Sequence, residues 1–227
     1  MSENSVLALV PAWNEATRIQ PVLEGVREWL PVLVVDDGST DDTPALARAS
    51  GAVVVRHDQN QGKGAALMTG FHWALDQGYE AVLTLDADGQ HDPADIPKFL
   101  SAYRAGAGDL VIGQRDFGQM PFPRRVVNPF GSWLLSLALG VRIYDNQSGY
   151  RLYTRPVLEA FDPTSDGFEL EVEIIVQAIR DQRSIGWVDI RTIYDTGKVS
   201  YFHPVKDTAR FLQVVWQAYR RRAKDQR

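Results

Sequence analysis

Five short runs made almost wholly of apolar residues punctuate the first half of the chain: Val6 to Val10, Val32 to Val35, Ala52 to Val55, Ala81 to Leu85 and Asp109 to Gly113. None alternates polar with apolar, so each is expected to be a strand covered on both faces. Segments of helical period lie between them. Ile19, Val22, Leu23, Val26, Trp29 and Leu30 mark the first, which Pro31 stops. The next opens at Thr40 or Asp41 and ends at Gly51. A third follows the loop His57 to Gly64 and runs to about Gln77, with Gly78 as its stop. A fourth starts at Pro93, a residue suited to the first helical position, and reaches Arg104. This alternation predicts an α/β fold: a mostly parallel central sheet with helices on both faces.

Beyond Gly113 the pattern changes. Gln114 to Arg125 reads as a loop rich in Gly, Pro and Arg, and Val126 to Leu139 as a helix. Gln147 to Tyr153 reads as a turn and strand, Phe168 to Asp181 as an acidic amphipathic helix, and Ile185 to Tyr194 as a strand. A polar loop, Asp195 to Val205, precedes a final helix from Lys206 to about Lys224. No repeat or linker interrupts the chain. The expectation is one domain over residues 1–227, with a nucleotide-binding half (5–113), an acceptor half (114–205) and a C-terminal amphipathic helix (206–227). The net charge of -5 argues against a nucleic-acid partner. The absence of cysteine excludes disulfides, thiolate zinc sites and a Cys nucleophile. Val6 to Pro11 is too short for a signal-peptide core, and no run approaches the roughly 18 apolar residues of a membrane span, so a cytoplasmic protein is expected.

The strand ends carry the chemistry. Ala81 to Leu85 stops in Asp86-Ala87-Asp88-Gly89-Gln90-His91, which delivers hard oxygen ligands to the carboxyl edge of a sheet, where open α/β folds bind ligands. Mg²⁺ or Mn²⁺ takes such ligands and keeps positions open for substrate phosphates. A plainer role, capping the helix at Pro93, suits Asp92 or His91 and leaves Asp86 and Asp88 unexplained. Asp36 and Asp37 end the second strand, either as a turn with Gly38 or as acceptors for a base or ribose. Glu15 follows the first, so three acidic sites share one edge. Asn60-Gln-Gly-Lys-Gly64 lacks the full phosphate-loop pattern, which argues against an ATPase; Lys63 is a ligand contact or a solvated side chain. Arg115, after the fifth strand, has the planar fork that suits a diphosphate. Asp145 to Arg151 is a dense polar cluster. Arg191, Lys198, His203 and Lys206 surround the loop after the last strand and could form an anion-binding lid.

Taken in order, Val10-Pro-Ala-Trp-Asn-Glu15, Val34-Val-Asp-Asp-Gly-Ser-Thr40, Asn60 to Gly64, Leu85 to His91, Gly113-Gln-Arg115 and Asp145-x-Gln-Ser-Gly-Tyr-Arg151 resemble the inverting family-two glycosyltransferases of the GT-A fold. The resemblance is closer to the polyprenyl- or dolichyl-phosphate mannose and glucose synthases. It implies a metal-dependent enzyme of cell-envelope biosynthesis that moves a hexose from a GDP- or UDP-linked nucleotide-sugar to a polyprenyl-phosphate-type lipid, without membrane helices of its own and so with a separate membrane subunit as a candidate partner. The implied nucleotide-sugar site comprises Pro11, Ala12, Trp13, Glu15, Val35, Asp36, Asp37, Lys63, Asp86, Ala87, Asp88, Arg115, Arg191 and Lys198. Asp88 and Gln90, with Asp86, are the implied ligands of a divalent cation, Mg²⁺ or Mn²⁺. Asp86, Asp88, Arg115, Asp145 and Arg151 are the implied catalytic set. The chain departs from the family in its closing loop, where Ser200-Tyr201 replaces the usual Ser-Lys and Lys198 stands two residues earlier.

An anionic lipid phosphate needs no strong base, since its second pKa is about 6. A hydroxyl acceptor needs a carboxylate, for which Asp145, Glu169 and Glu171 are candidates. Phe211, Leu212, Val214, Val215, Trp216 and Tyr219 precede an Arg cluster, a pattern for a membrane surface or for a docked terminal helix. The competing expectations are transfer to a saccharide, small molecule or other lipid hydroxyl, and a non-catalytic nucleotide-sugar-binding protein.

Overall fold

The apolar runs form β1 (Val6–Ala12), β2 (Val32–Asp36), β3 (Val53–Arg56), β4 (Ala81–Thr84) and β5 (Leu110–Arg115) in a computed structural model. The structure describes residues 5–120, 122, 124–162, 170–193, 210–216 and 218–220. Expectations for Phe168, Glu169, Lys198, Ser200, Tyr201, His203 and Lys206 lie outside the described residues. The second half adds β6 (Arg151–Thr154) and β7 (Ile185–Ile190), completing a seven-stranded sheet in the order β3-β2-β1-β4-β6-β5-β7. Every pair is parallel except those of β6, which runs antiparallel to both β4 and β5.

Side chains alternate across the sheet, as the pleat requires. Leu7 and Leu9 of β1 face a core shared with Leu33, Val35, Val82 and Tyr153, while Val6, Ala8 and Val10 face a second core with Val34, Leu83 and Leu152. α3 (Lys63–Asp76) and α7 (Leu170–Arg180) contribute Leu67, Phe71, Ile174 and Ile175 to the first. α1 (Ile19–Arg27) and α4 (Ile96–Arg104) contribute Ile19, Leu23, Val26, Ile96 and Phe99 to the second. Each large apolar side chain so buried stabilises the fold by about 1.5–3 kcal/mol relative to exposure.

Several element boundaries differ from expectation for local reasons. α2 (Thr43–Ala49) starts later than Thr40, because Asp41 turns back to accept the Thr43 N–H at 3.0 Å. Pro93–Asp95 is a 3₁₀ turn, capped by Asp92 through the Ala94 N–H, and α4 proper begins at Ile96. α5 (Arg124–Leu139) is slightly longer than the expected helix. α6 (Arg155–Ala160) was not anticipated; Pro156 near its start and the buried Val157 and Leu158 are its sequence signal. β7 stops at Ile190, short of Tyr194.

Candidate active site

Register brings the acidic strand ends together. Pro11 pairs with Val35 and Ala12 with Asp36, while Leu9 pairs with Thr84, so Trp13, Asp36 and Asp86 emerge at one edge. The loops there are stitched by their own polar side chains. Ser39 Oγ accepts the Asn14 N–H (2.9 Å), Asn14 Oδ1 accepts the Thr40 N–H (2.8 Å), and Thr43 Oγ1 accepts the Glu15 N–H (2.8 Å). Asn14 sits at φ 54°, a conformation asparagine tolerates. Burial pushes the Asp41 carboxyl up, but hydrogen bonds from Thr43 and the Ala16 N–H outweigh it and hold the group below its ordinary value.

Asp36 and Asp37 have separate tasks. Asp37 accepts from the N–H groups of Gln61 (2.9 Å) and Gly62 (2.8 Å) and contacts His57 Nδ1 at 2.7 Å, so it fixes the turn before α3. Asp36 is wholly buried; Arg56 Nε lies 3.1 Å from its Oδ2, off the line of a hydrogen bond, and its Oδ1 has no partner. An orphaned carboxylate oxygen at this edge is suited to a base or ribose donor.

Beyond β4, His91 holds the acidic loop in shape. Its Nδ1 accepts the Asp86 N–H at 3.0 Å, and its ring lies against Tyr150, which stacks on Phe99. Burial, opposed by Asp86 and Asp88, keeps its pKa below the ordinary imidazole value, consistent with an acceptor Nδ1. Asp88 Oδ1 accepts the Gln90 N–H (2.9 Å) and Oδ2 accepts from Gln90 Nε2 (2.7 Å), which leaves the Gln90 carboxamide oxygen beside the carboxylate. The chain leaving β7 returns here: Thr192 bridges His91 and the Ile193 N–H donates to Gln90 O at 3.0 Å. Arg191, with an exposed side chain, is anchored by its N–H to Asp95 Oδ2 (2.7 Å).

Because β6 is antiparallel, it begins where its neighbours end, and residues 145–151 arrive at the same edge. Arg115 and Asp145 form a bidentate pair, Nε to Oδ2 at 2.6 Å and Nη2 to Oδ1 at 2.9 Å. Asp145 is wholly buried and also accepts the Gln147 N–H. It therefore orients Arg115 and is not placed as a proton acceptor. Arg151 also departs from the place expected of a catalytic group. It is wholly buried and donates to three carbonyls, those of Ser148, Asn146 and Glu171. Lys63 is no solvated side chain: its ammonium lies 2.7 Å from Asp86 Oδ1 and 3.4 Å from Glu171 Oε2. Burial disfavours its charge, but Asp86 and Glu171 together raise its pKa above the ordinary lysine value. Asn14 and Ser39 carry no sequence signal of their roles, which depend on contacts between distant loops.

No group of three or more His, Asp or Glu side chains is gathered for a metal among the described residues. A hard cation at Asp88 and Gln90 would draw one carboxylate and one carboxamide from the protein and its remaining oxygens from a diphosphate and water. That sparse set fits Mg²⁺.

The family model for glycosyl transferase family 2 matches residues 8–161. The chain is 34% identical over 201 residues to the polyprenol monophosphomannose synthase of Mycolicibacterium smegmatis, covering 81% of this chain and 76% of that protein. It is 34% identical over 191 residues to the undecaprenyl-phosphate mannosyltransferase of Micrococcus luteus, covering 77% and 78%. The crystal structure of glucosyl-3-phosphoglycerate synthase from Mycobacterium tuberculosis with Mn²⁺, UDP and glucosyl-3-phosphoglycerate has a TM-score of 0.71 at 22% identity, over 95% of this chain and 78% of that one. At that identity the likeness shows the fold, which is GT-A.

Proposed function

The chain belongs to glycosyl transferase family 2 and is a glycosyltransferase, and from that membership we propose that it moves a hexose from a GDP- or UDP-linked donor to a polyprenyl-phosphate-type lipid. The base and ribose lie against Pro11, Ala12, Trp13, Glu15, Val35 and Asp36. Asp37 shapes the adjoining turn. Asp88 and Gln90 would hold the divalent cation, which when bound would supply positive charge opposite the diphosphate leaving group. Arg115, kept in plane by Asp145, adds donors to the same developing charge. Arg151 carries no reacting atom and braces the loop that bears Asp145. Arg191 contacts the diphosphate. The lipid phosphate is already anionic near neutral pH and attacks in line, so no carboxylate has to accept a proton.

The outer face of α5 is the observation that carries the lipid acceptor. Asn128, Ser132, Leu135 and Ala138 bury one side of the helix, and Ser132 Oγ donates to Asn146 Oδ1 next to the Arg115–Asp145 pair. On the opposite side Val126, Phe130, Trp133 and Leu137 are all more than half exposed, at 61%, 59%, 58% and 57%. Phe211, from the helical stretch over 210–216, packs near Gly131, and Leu212, Trp216 and Tyr219 extend the exposed apolar surface. Such an aromatic patch suits a membrane interface, and supports peripheral attachment at its cytoplasmic face. No described helix is long and apolar enough to cross one.

The test incubates purified protein and Mg²⁺ or Mn²⁺ with GDP-mannose, UDP-glucose and related donors, with and without polyprenyl phosphate. Donor-derived sugar in the lipid fraction is expected. Transfer to soluble hydroxyl acceptors alone would replace the lipid reading.

A further inference from the structure

Asp95 stands at the N-cap position of α4 and does not cap it. Aspartate is among the residues best suited to that place, where its carboxylate accepts a helix N–H. Here Pro97 occupies the second helical position and has no N–H to give. The carboxylate turns elsewhere. Its Oδ2 accepts the Arg191 N–H at 2.7 Å, and its Oδ1 lies 2.7 Å from Lys98 Nζ. The residue is 3% exposed, so a charge is taken out of water to hold one backbone group of a segment 96 residues away. A local rule broken beside a site is a mark of function.

The segment so held is the exit from β7. Sheet register sets Ile190 opposite Arg115, and Ile190 is buried. Arg191 therefore follows directly after the partner of Arg115, the other arginine assigned to the diphosphate. Lys98 Nζ donates to Asp189 O at 2.8 Å, Asp95 accepts the Arg191 N–H, Thr192 bridges His91, and the Ile193 N–H donates to Gln90 O. The stretch 88–95, which carries the implied cation ligands, is thus fastened to residues 189–193 through Gln90, His91 and Asp95. The Arg191 side chain is exposed while its backbone is tied, so the reach of the guanidinium depends on where that backbone is held. Resting on the sugar-transfer reading above, we propose that Asp95 is a positioning residue for Arg191: it fixes the Arg191 backbone against the Asp88–Gln90 loop so that the guanidinium meets the diphosphate. Asp95 touches no substrate. Its effect on the donor passes through Arg191, whose planar fork rewards exact placement.

A double-mutant cycle separates this role from support of the fold. Calorimetry with Mn²⁺ measures GDP and UDP on the wild type, Asp95→Ala, Arg191→Ala and the double variant, following whichever diphosphate the wild type binds. Arg191→Ala keeps the N–H bonded to Asp95 and removes only the guanidinium, so it is expected to weaken the diphosphate about tenfold. Asp95→Ala is expected to weaken it about fivefold in the wild-type background and by less than about twofold in the Arg191→Ala background. Asp95→Asn carries the same cycle should Asp95→Ala fail to fold: its carboxamide oxygen is drawn to the Lys98 ammonium, which turns its own N–H groups toward the Arg191 N–H. An equal loss in both backgrounds would make Asp95 a support of the fold and overturn the proposal, as would unchanged affinity in the Asp95 variant. Arg191→Ala that binds the diphosphate as tightly as the wild type would take Arg191 from the donor and overturn it too. A wild type that binds neither GDP nor UDP overturns the sugar-transfer reading itself, which is a separate result.

Discussion

Arg151→Lys keeps the charge and removes the fork. The native guanidinium spends Nε on Ser148 O at 2.6 Å, Nη2 on Asn146 O at 2.9 Å and Nη1 on Glu171 O. A lysine ammonium on a single stem can reach one of these carbonyls and strands the other two in a site with no solvent. Hydrogen bonds to charged groups contribute about 1.5–3 kcal/mol each, so the expected loss is about 3–6 kcal/mol. That is a large part of the roughly 5–15 kcal/mol that keeps a domain folded. With a urea slope of about 3 kcal/mol/M the unfolding midpoint should fall by about 1–2 M, read by circular dichroism. An unchanged midpoint combined with a fall in turnover of about a hundredfold, the scale of losing a transition-state donor, would refute the bracing argument and return Arg151 to the reacting atoms.

Asp88→Ala should abolish Mn²⁺-supported sugar transfer while leaving the thermal midpoint close to wild type, because Asp88 is half-buried and its bonds with Gln90 lie within its own loop; near-normal turnover would remove it from the metal. Phe130→Ser with Trp133→Ser should weaken sedimentation with anionic vesicles by about tenfold or more, since each large apolar side chain contributes about 1.5–3 kcal/mol on burial, and equal binding would exclude α5 from the membrane face. Asp41→Asn tests the loop stitching through pH. A depressed carboxyl stabilises the fold fully above its ordinary value of 3.8 and loses that contribution as the pH falls through its folded-state value. The gap in thermal midpoint between wild type and variant should thus be widest near pH 6 and narrow below about pH 4. Gly70→Ala should destabilise by about 1–3 kcal/mol, because the added Cβ would lie 2.3 Å from Leu9 Cδ1.

The parallel part of the sheet was legible because its strands are continuous apolar runs and its helices keep the 3.6 period. The position of β6 was not: a short run such as Leu152-Tyr153 carries no sign of its direction, and only the pairing with Val82 and Leu83 reveals it. The site divides the same way. Asp86, Asp88 and Arg115 stand at strand ends and could be found by position. Asp36 and Asp37 could not be told apart, since their difference lies in which oxygen meets the N–H groups of Gln61 and Gly62. Arg151 looked catalytic because a polar cluster in sequence does not show that its guanidinium turns inward to backbone carbonyls. Lys63 was ambiguous until the fold brought Glu171, 108 residues away, alongside it.

The antiparallel β6 also sets the order in which the chain can complete itself during synthesis. β4 has β1 on one side and β6 on the other, and β5 touches only β6 and β7. A nascent chain that ends at Arg115 thus holds three strands in register, a fourth with a bare apolar edge, and a fifth with no place to dock. Relief comes when Thr154 emerges, about forty residues or 2–8 s later at roughly 5–20 residues per second. The first half of the chain spends that interval as an open edge of the kind that pairs with other chains. It is not a module that can be expressed, fused or exchanged by cutting at Arg115; a viable cut has to leave β6 with the strands it joins.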